Sequence, residues 1–159
     1  MNIRIGQGVD FHKLEKGLEL WLGGIIIPSH RGAVAHSDGD VLIHSVCDAL
    51  LGAAGLRDIG YHFPDTDERF KDIDSKVLLK KVIELVRLHG YAISNIDSTV
   101  CLEKPKLSPH IESIRNSLSK VTGLEPGRIS VKSTTTEKLG FIGREEGIAA
   151  LASVLLVAI

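Results

Sequence analysis

The sequence has few cysteines and no long apolar run. Its two cysteines, Cys47 and Cys101, each lie alone inside an apolar segment, without the C-x-x-C spacing of a thiolate site. This pattern is typical of reduced, buried thiols and argues against a disulfide or a cysteine-ligated zinc. No segment reaches the roughly 18 consecutive apolar residues that a membrane-spanning helix needs. We therefore expect no membrane span, and any metal must use ligands other than thiolate.

The sequence also lacks an excess of charge of either sign. Its 19 basic and 20 acidic residues give a net charge of -1, and neither sign forms a long run. Nucleic acid is not an expected partner, because its binding depends on concentrated positive charge. A small anionic ligand needs only a few local donors and remains a candidate.

No targeting pattern, repeat or linker interrupts the chain. The first residues, MNIRIGQGVDFH, show neither a basic start with an apolar core nor an Arg/Ser-rich leader, so we expect a cytoplasmic protein. With 159 residues, the chain is long enough to bury a hydrophobic core without stabilising disulfides or structural metal ions. We expect a single domain over residues 1–159.

Periodicity predicts a mixed order of strands and helices. Strands are predicted over residues 2–12, 19–28, 95–104 and 128–135, and the apolar C-terminal tail is interpreted as a buried strand, although its pattern alone does not exclude a helix. Three amphipathic helices are predicted between them. Together these elements favour an α/β sandwich with helices packed on one face of the sheet.

The predicted helices have recognisable ends. The first can be capped by Ser37, Asp38 or Asp40 and ends near Gly55. The second follows Asp74 and stops at Gly90. For the third we predict Ser108 as the N-cap, Pro109 at the first helical position and Gly123 at the end.

The stretch AHSDGDVLIH, residues 35–44, raises the question of a metal site. Asp10 and His12 lie two residues apart on a predicted strand, so both side chains point to the same face. A third ligand could come from His36, from His44 or from the aspartates between them. Imidazole and carboxylate without thiolate suit a catalytic Zn²⁺. The alternative, a helix cap with incidental histidines, is equally open on spacing alone.

A second polar segment, KSTTTEKLGFIGREEG at residues 132–147, could bind an anion. Its threonines, glycine-flanked loop and Arg144 offer hydroxyls, backbone N–H groups and a forked cation to a phosphate. Glu137 would fit there as a Mg²⁺ ligand bridging to phosphate oxygens. The competing interpretation, slightly favoured without more context, is a strand end in which threonine serves its β-propensity.

These segments together carry a family resemblance. GQGVDFH, AHSDGDVLIH, LRDIGYHFPDTD, KPKLSPH and KSTTTEKLGFIGREEG, in this order, resemble the 2-C-methyl-D-erythritol 2,4-cyclodiphosphate synthase family of the non-mevalonate (MEP) pathway of isoprene biosynthesis. The likeness runs from about residue 3 to the C-terminus. It implies a ferredoxin-like α/β subunit, an α+β sandwich with a mixed sheet, assembled into a homotrimer with active sites between subunits.

The resemblance implies a phosphorus–oxygen lyase. The implied substrate is 4-diphosphocytidyl-2-C-methyl-D-erythritol 2-phosphate, whose 2-phosphate attacks the β-phosphorus and expels CMP. The runner-up is a zinc-dependent phosphodiester or diphosphate hydrolase with water as the attacking group. A non-enzymatic trimeric module with a structural zinc is a third alternative.

The resemblance also assigns residues to roles. The implied ligands of one zinc per subunit are Asp10, His12 and His44, and that of Mg²⁺ or Mn²⁺ is Glu137. The implied contacts of the methylerythritol phosphate are His36, Ser37, Phe63 and Asp65. The implied contacts on the ribose side are Asp58 and Gly60, with Ile59 between them. The implied nucleotide contacts are Leu102, Lys106, Leu107, Ser108, Ser133, Thr134 and Thr135. His36 and Thr135 are the implied stabilisers of the transition state, and Phe141 and Arg144 match residues near a cavity on the trimer axis that can hold an isoprenoid diphosphate.

Overall fold

The structure, a computed structural model, describes residues 2–159. The strands in this range are β1 (Ile3–Lys16), β2 (Leu20–Leu22), β3 (Ile25–Ile27), β4 (Arg31–Val34), β5 (Tyr91–Cys101), β6 (Ile129–Thr134) and β7 (Gly147–Ala158). The helices are α1 (Val41–Ala54), α2 (Ile59–His62), α3 (Ser75–Leu88), α4 (Ile111–Thr122) and α5 (Gly140–Gly143). Short 3-10 turns cover Glu68–Phe70, Ser108–His110 and Pro126–Arg128.

Five strands form one mixed sheet in the order β4-β1-β7-β5-β6. β1 pairs antiparallel with β4 and β7, and β5 pairs antiparallel with β7 but parallel with β6. α4 lies between β5 and β6 in the chain, as a connection between parallel neighbours requires. The mixed α/β architecture confirms the sequence prediction, and the apolar tail is the strand β7.

The predicted strand over residues 19–28 is wrong in one respect, because it is a two-stranded hairpin. β2 and β3 pair with each other outside the main sheet. Gly23 and Gly24 form the turn with φ values of 61° and 80°. A two-residue hairpin turn with both central residues at positive φ strongly favours glycine, so the Gly-Gly pair reverses the chain.

Two of the three predicted helix starts are confirmed and one is wrong. Asp40 caps α1 by accepting the N–H of Ile43, and Asp74 caps α3. Ser108 does not cap α4, because it is the first residue of a 3-10 turn and makes no capping hydrogen bond there. α4 begins only at Ile111.

The helix α3 packs against both α1 and α4, and all three helices pack against the sheet. Alternation along β7 explains this layering, since Ile148, Ala150 and Ala152 are buried under the helices whereas Leu151 is exposed on the other face. The uncovered face of β1 is also apolar, and Ile5 there is 75% exposed. Within residues 2–159, no helix is long and apolar enough to cross a membrane.

Candidate metal and substrate site

Two glycines on β1 allow α1 to approach the sheet closely. A Cβ atom at Gly6 would lie 1.9 Å from the backbone oxygen of Ala49, and one at Gly8 would lie 2.0 Å from that of Ser45. No side chain fits in such a space, so both positions require glycine. His44, beside Ser45 on α1, is thereby brought over the next residues of the same strand face.

Those next residues are Asp10 and His12, and with His44 they form a compact cluster. Asp10 Oδ2 lies 3.0 Å from His12 Nδ1 and 3.2 Å from His44 Nδ1. One potential ligand atom from each residue lies within 4.8 Å of the others. Of the third-ligand candidates, His44 therefore joins the pair on the strand. The same-face prediction for Asp10 and His12 is also confirmed.

The electrostatics of this cluster suit a cation. Burial alone would raise the pKa of Asp10, but the contacts with His12 and His44 outweigh it and lower that pKa to about 2. The carboxylate is therefore ionised at neutral pH. The buried Nδ1 of His12 has no hydrogen-bond partner, although it faces the Asp10 carboxylate. A convergent set of one carboxylate and two imidazoles fits Zn²⁺ with an open coordination position.

The two aspartates between His36 and His44, Asp38 and Asp40, accept hydrogen bonds from different parts of the structure. Asp40 is fully buried, and besides capping α1 it accepts the N–H groups of Gly23 at 3.0 Å and Gly24 at 2.6 Å. Burial raises the pKa of Asp40, against the lowering effect of these N–H groups. Asp38 instead turns toward α3 and accepts the N–H of Ser75 at 2.8 Å. Asp40 therefore joins the hairpin turn to the start of α1.

A pocket of about 380 Å³ lies beside the three clustered side chains. It contains six of the predicted substrate residues: His36, Ser37, Ile59, Gly60, Phe63 and Asp65. Its lining includes five further residues that the sequence did not single out: Ala35, Pro64, Phe70, Ile73 and Leu78. Two of them, Phe70 and Ile73, are the apolar positions of an otherwise polar loop, which is the one signal that could have indicated them.

Asp58 lies outside the lining of this pocket. Its side chain caps α2 by accepting the N–H of Tyr61 at 2.9 Å.

Phe63 and Phe70 meet edge to face with their ring centroids 5.4 Å apart and form one wall of the pocket beside His44. The loop that carries them thus covers part of the pocket with aromatic rings.

A second pocket of about 340 Å³ is lined by different residues. It brings together all seven predicted nucleotide contacts: Leu102, Lys106, Leu107, Ser108, Ser133, Thr134 and Thr135. The N–H of Leu102 donates to the Thr134 oxygen at 3.0 Å, which ties the two segments together. Glu103 and Pro105 complete the lining. Within the described chain, this pocket shares no lining residue with the pocket beside His44.

The remaining predicted residues lie in the loop after β6. Glu137 adopts a positive φ of 53°, and Thr135 Oγ1 lies 3.3 Å from its Oε1. Phe141 packs near Phe11 with ring centroids 6.2 Å apart. Arg144 is exposed and makes a two-point ion pair with Glu146, with both distances 3.0 Å. The side chains of Glu137, Phe141 and Arg144 are thus outside the lining of both pockets.

Ser75 is a site residue that sequence reasoning missed. It is fully buried, and its Oγ lies 2.9 Å from His44 Nε2, across 31 positions of sequence. The pattern identified Asp74 as the cap of α3, but no local signal relates the following serine to a distant histidine.

The chain is similar to known proteins over nearly its whole length. Residues 3–157 match the model of the YgbB family. A 2-C-methyl-D-erythritol 2,4-cyclodiphosphate synthase from Bacteroides fragilis is 58% identical over 156 residues, which cover 98% of each chain.

Solved structures share the fold. The bifunctional IspDF from Campylobacter jejuni is 47% identical with a TM-score of 0.96, and the match covers 99% of this chain and 43% of that one. A 2C-methyl-D-erythritol-2,4-cyclodiphosphate synthase in its CDP-bound form is 43% identical with a TM-score of 0.90, and the match covers 97% of this chain and 100% of that one.

Proposed function

The chain belongs to the YgbB family, and from this membership we infer that it catalyses the cyclodiphosphate synthase reaction of its relatives. The substrate is 4-diphosphocytidyl-2-C-methyl-D-erythritol 2-phosphate. An oxygen of the 2-phosphate attacks the β-phosphorus, and the bond from that phosphorus to the bridging oxygen of the leaving group breaks. The products are the 2,4-cyclodiphosphate and CMP, as expected of a phosphorus–oxygen lyase. The single observation that carries the proposal is the match to this family over residues 3–157, and the Asp10, His12 and His44 cluster lining a pocket supports it.

The chain's own residues account for the two needs of this reaction. An anionic phosphate must approach another anion, so most of the rate enhancement comes from neutralising the negative charge and positioning the reacting groups. Asp10, His12 and His44 are the proposed zinc ligands, and Glu137 is the proposed Mg²⁺ or Mn²⁺ ligand. The bound metals supply Lewis-acid stabilisation of the phosphate oxygens and a template for them. No side chain has to act as a nucleophile.

The pocket beside the cluster is proposed to hold the methylerythritol phosphate. His36 and Ser37 lie in the loop before α1, where imidazole and hydroxyl can donate to phosphate oxygens. The Nε2 of His36 is buried without a hydrogen-bond partner, which leaves it available to substrate. Phe63 and Asp65 offer an apolar wall and an acceptor for a substrate hydroxyl. Asp58, Ile59 and Gly60 are the proposed contacts of the ribose.

The second pocket is proposed to hold the cytidine and its phosphates. Lys106 supplies a cation, and the hydroxyls of Ser133, Thr134 and Thr135 supply donors. Leu102, Leu107 and Ser108 form the rest of this side. Thr135, whose Oγ1 lies 3.3 Å from Glu137 Oε1, is the proposed partner of His36 in stabilising the transition state.

We also propose that the protein is a homotrimer whose sites lie between subunits. Support comes from the separation of the two pockets within one chain and from the exposed apolar face of the sheet. Ile5, Val9 and Leu151 on that face are 75%, 42% and 37% exposed, and such patches mark contact surfaces. Phe141 and Arg144 are proposed to face an isoprenoid diphosphate on the trimer axis.

The proposal also includes the fold type of the subunit, its domain organisation and its cellular location. The βαβ unit of β5, α4 and β6 beside antiparallel strands supports a ferredoxin-like subunit. One continuous core that includes residues from Leu14 to Leu156 supports a single domain over 1–159. The cytoplasm is the proposed location, in keeping with a biosynthetic enzyme.

Product analysis tests the reaction. Phosphorus NMR of the complete reaction is expected to show a cyclic diphosphate and CMP in equal amounts. A zinc-dependent hydrolase would instead give CMP and the linear bisphosphate, and that outcome would reject the synthase proposal.

Mixing two inactive variants tests the shared site. His12→Ala damages the metal half, and Lys106→Glu damages the nucleotide half. In mixed trimers, a site built from an intact half of each variant should be active, giving about a quarter of the wild-type sites after random exchange. Inactive mixed trimers would show that both halves come from the same chain.

A further inference from the structure

Two hydrogen-bonded side chains, Ser75 and Asp38, lie on the Nε2 side of His44 and have no role in the reaction described so far. Ser75 is the first residue of α3 and is fully buried. Its Oγ contacts His44 Nε2 at 2.9 Å and also donates to Asp38 Oδ1. Asp38 Oδ2 accepts the backbone N–H of Ser75 at 2.8 Å. Residues from three segments thus form one chain of contacts that ends at a proposed zinc ligand.

The donor and acceptor inventory fixes the direction of these hydrogen bonds. A carboxylate such as Asp38 only accepts, so the single hydroxyl proton of Ser75 is directed to it. The Ser75 oxygen can then only accept from His44, which requires a hydrogen on Nε2. The other ring nitrogen of His44, Nδ1, is the one that lies 3.2 Å from Asp10 Oδ2. Nδ1 is therefore the ring atom left for a metal.

We propose that Ser75, anchored by Asp38, is a positioning residue that holds the His44 ring with Nε2–H away from the metal and Nδ1 toward it. The proposal rests on the metal site of the proposed function and adds a residue outside that site's ligands. Metal-bound histidines generally donate their second ring N–H to such a partner, which fixes the tautomer and the ring orientation. Ser37 Oγ lies 3.3 Å from the same nitrogen but is also engaged by the N–H of Gly39, so it is the weaker acceptor.

Zinc affinity provides the test, measured on metal-stripped protein by competition with a chromogenic chelator. Ser75→Ala is expected to raise the zinc dissociation constant by roughly 10–100-fold. Ser75→Thr keeps the hydroxyl and is expected to raise the zinc dissociation constant less than Ser75→Ala does. Ser98→Ala is the matched control, because Ser98 is also a buried serine whose Oγ donates one hydrogen bond, to the Ser130 oxygen at 3.0 Å. It should leave zinc affinity unchanged.

The outcomes separate this proposal from the proposed function. A wild-type protein that binds no zinc would overturn both. A wild-type protein that binds zinc, with a folded Ser75→Ala variant of the same affinity, would overturn the role of Ser75 alone. If Ser75→Ala does not fold, Asp38→Asn provides the test. The asparagine side chain has the shape of the aspartate side chain, but its amide can donate as well as accept, so it no longer directs the Ser75 proton away from His44. The zinc affinity of this variant should fall several-fold, and an unchanged value would overturn the proposal.

Discussion

Replacing Gly8 with alanine tests whether close packing of α1 on β1 builds the metal site. The added Cβ would lie 2.0 Å from the backbone oxygen of Ser45, so strand and helix must separate by roughly 1.5 Å to reach ordinary contact. His44 adjoins Ser45 on α1, so a shift of α1 away from β1 moves the His44 ring away from Asp10. Overpacking of this kind costs about 1–3 kcal/mol of unfolding free energy. A displacement of about 1 Å at a reacting centre costs on the order of 100-fold in turnover.

Two measurements and one control make this prediction decisive. Urea unfolding with chelator present reports the packing cost alone, and zinc competition followed by kcat measurement reports the displacement of His44. Gly52→Ala is the control, because Gly52 is exposed on the same helix and a Cβ there meets no heavy atom within 4 Å. It should stabilise the protein by roughly 0.5–1 kcal/mol. Wild-type stability and zinc affinity in Gly8→Ala would refute the reasoning.

Three further predictions concern the side chains around the metals. In metal-free protein, Asp10 has its pKa lowered from 3.8 to about 2, so it stabilises the fold above about pH 4 by on the order of 2 kcal/mol. This contribution is lost as the pH falls toward 2, and in urea unfolding Asp10→Asn should lose less stability over that pH range than the wild type does, by about this amount. His12→Ala should lose zinc, as measured by metal analysis, but keep its circular dichroism spectrum; full zinc content would reject the ligand assignment. Glu137→Gln should retain zinc but require more Mg²⁺ for half-maximal activity, and an unchanged Mg²⁺ titration would contradict the role of Glu137.

The stretch from His36 to His44 shows which features of the site a local sequence pattern can predict and which it cannot. The sequence correctly predicted that Asp10 and His12 share a face, and it named His44 among the candidates for the third position. Spacing alone could not choose among them, although the family resemblance implied His44, because that choice depends on the two glycines of β1 that set the approach of α1. Asp38 and Asp40 likewise bind different partners that lie far away in sequence, Asp38 in α3 and Asp40 in the β2–β3 turn.

Other features differ in whether the sequence held a usable signal. The Gly-Gly pair between two apolar runs is a known hairpin signal, so the β2–β3 hairpin was predictable in principle. Ser75 was not, because nothing local distinguishes it from any serine that begins a helix. The separation of the two pockets was also out of reach, since spacing along the chain does not reveal which segments lie apart in the fold.

Running the reaction in H₂¹⁸O tests the central claim most directly, because the proposed attack uses an oxygen of the substrate's own 2-phosphate and no water. Mass spectrometry of the products should show no ¹⁸O in either the cyclic diphosphate or CMP. One ¹⁸O atom per turnover in CMP or in a linear phosphate product would mean that water is the attacking group, and it would contradict the account.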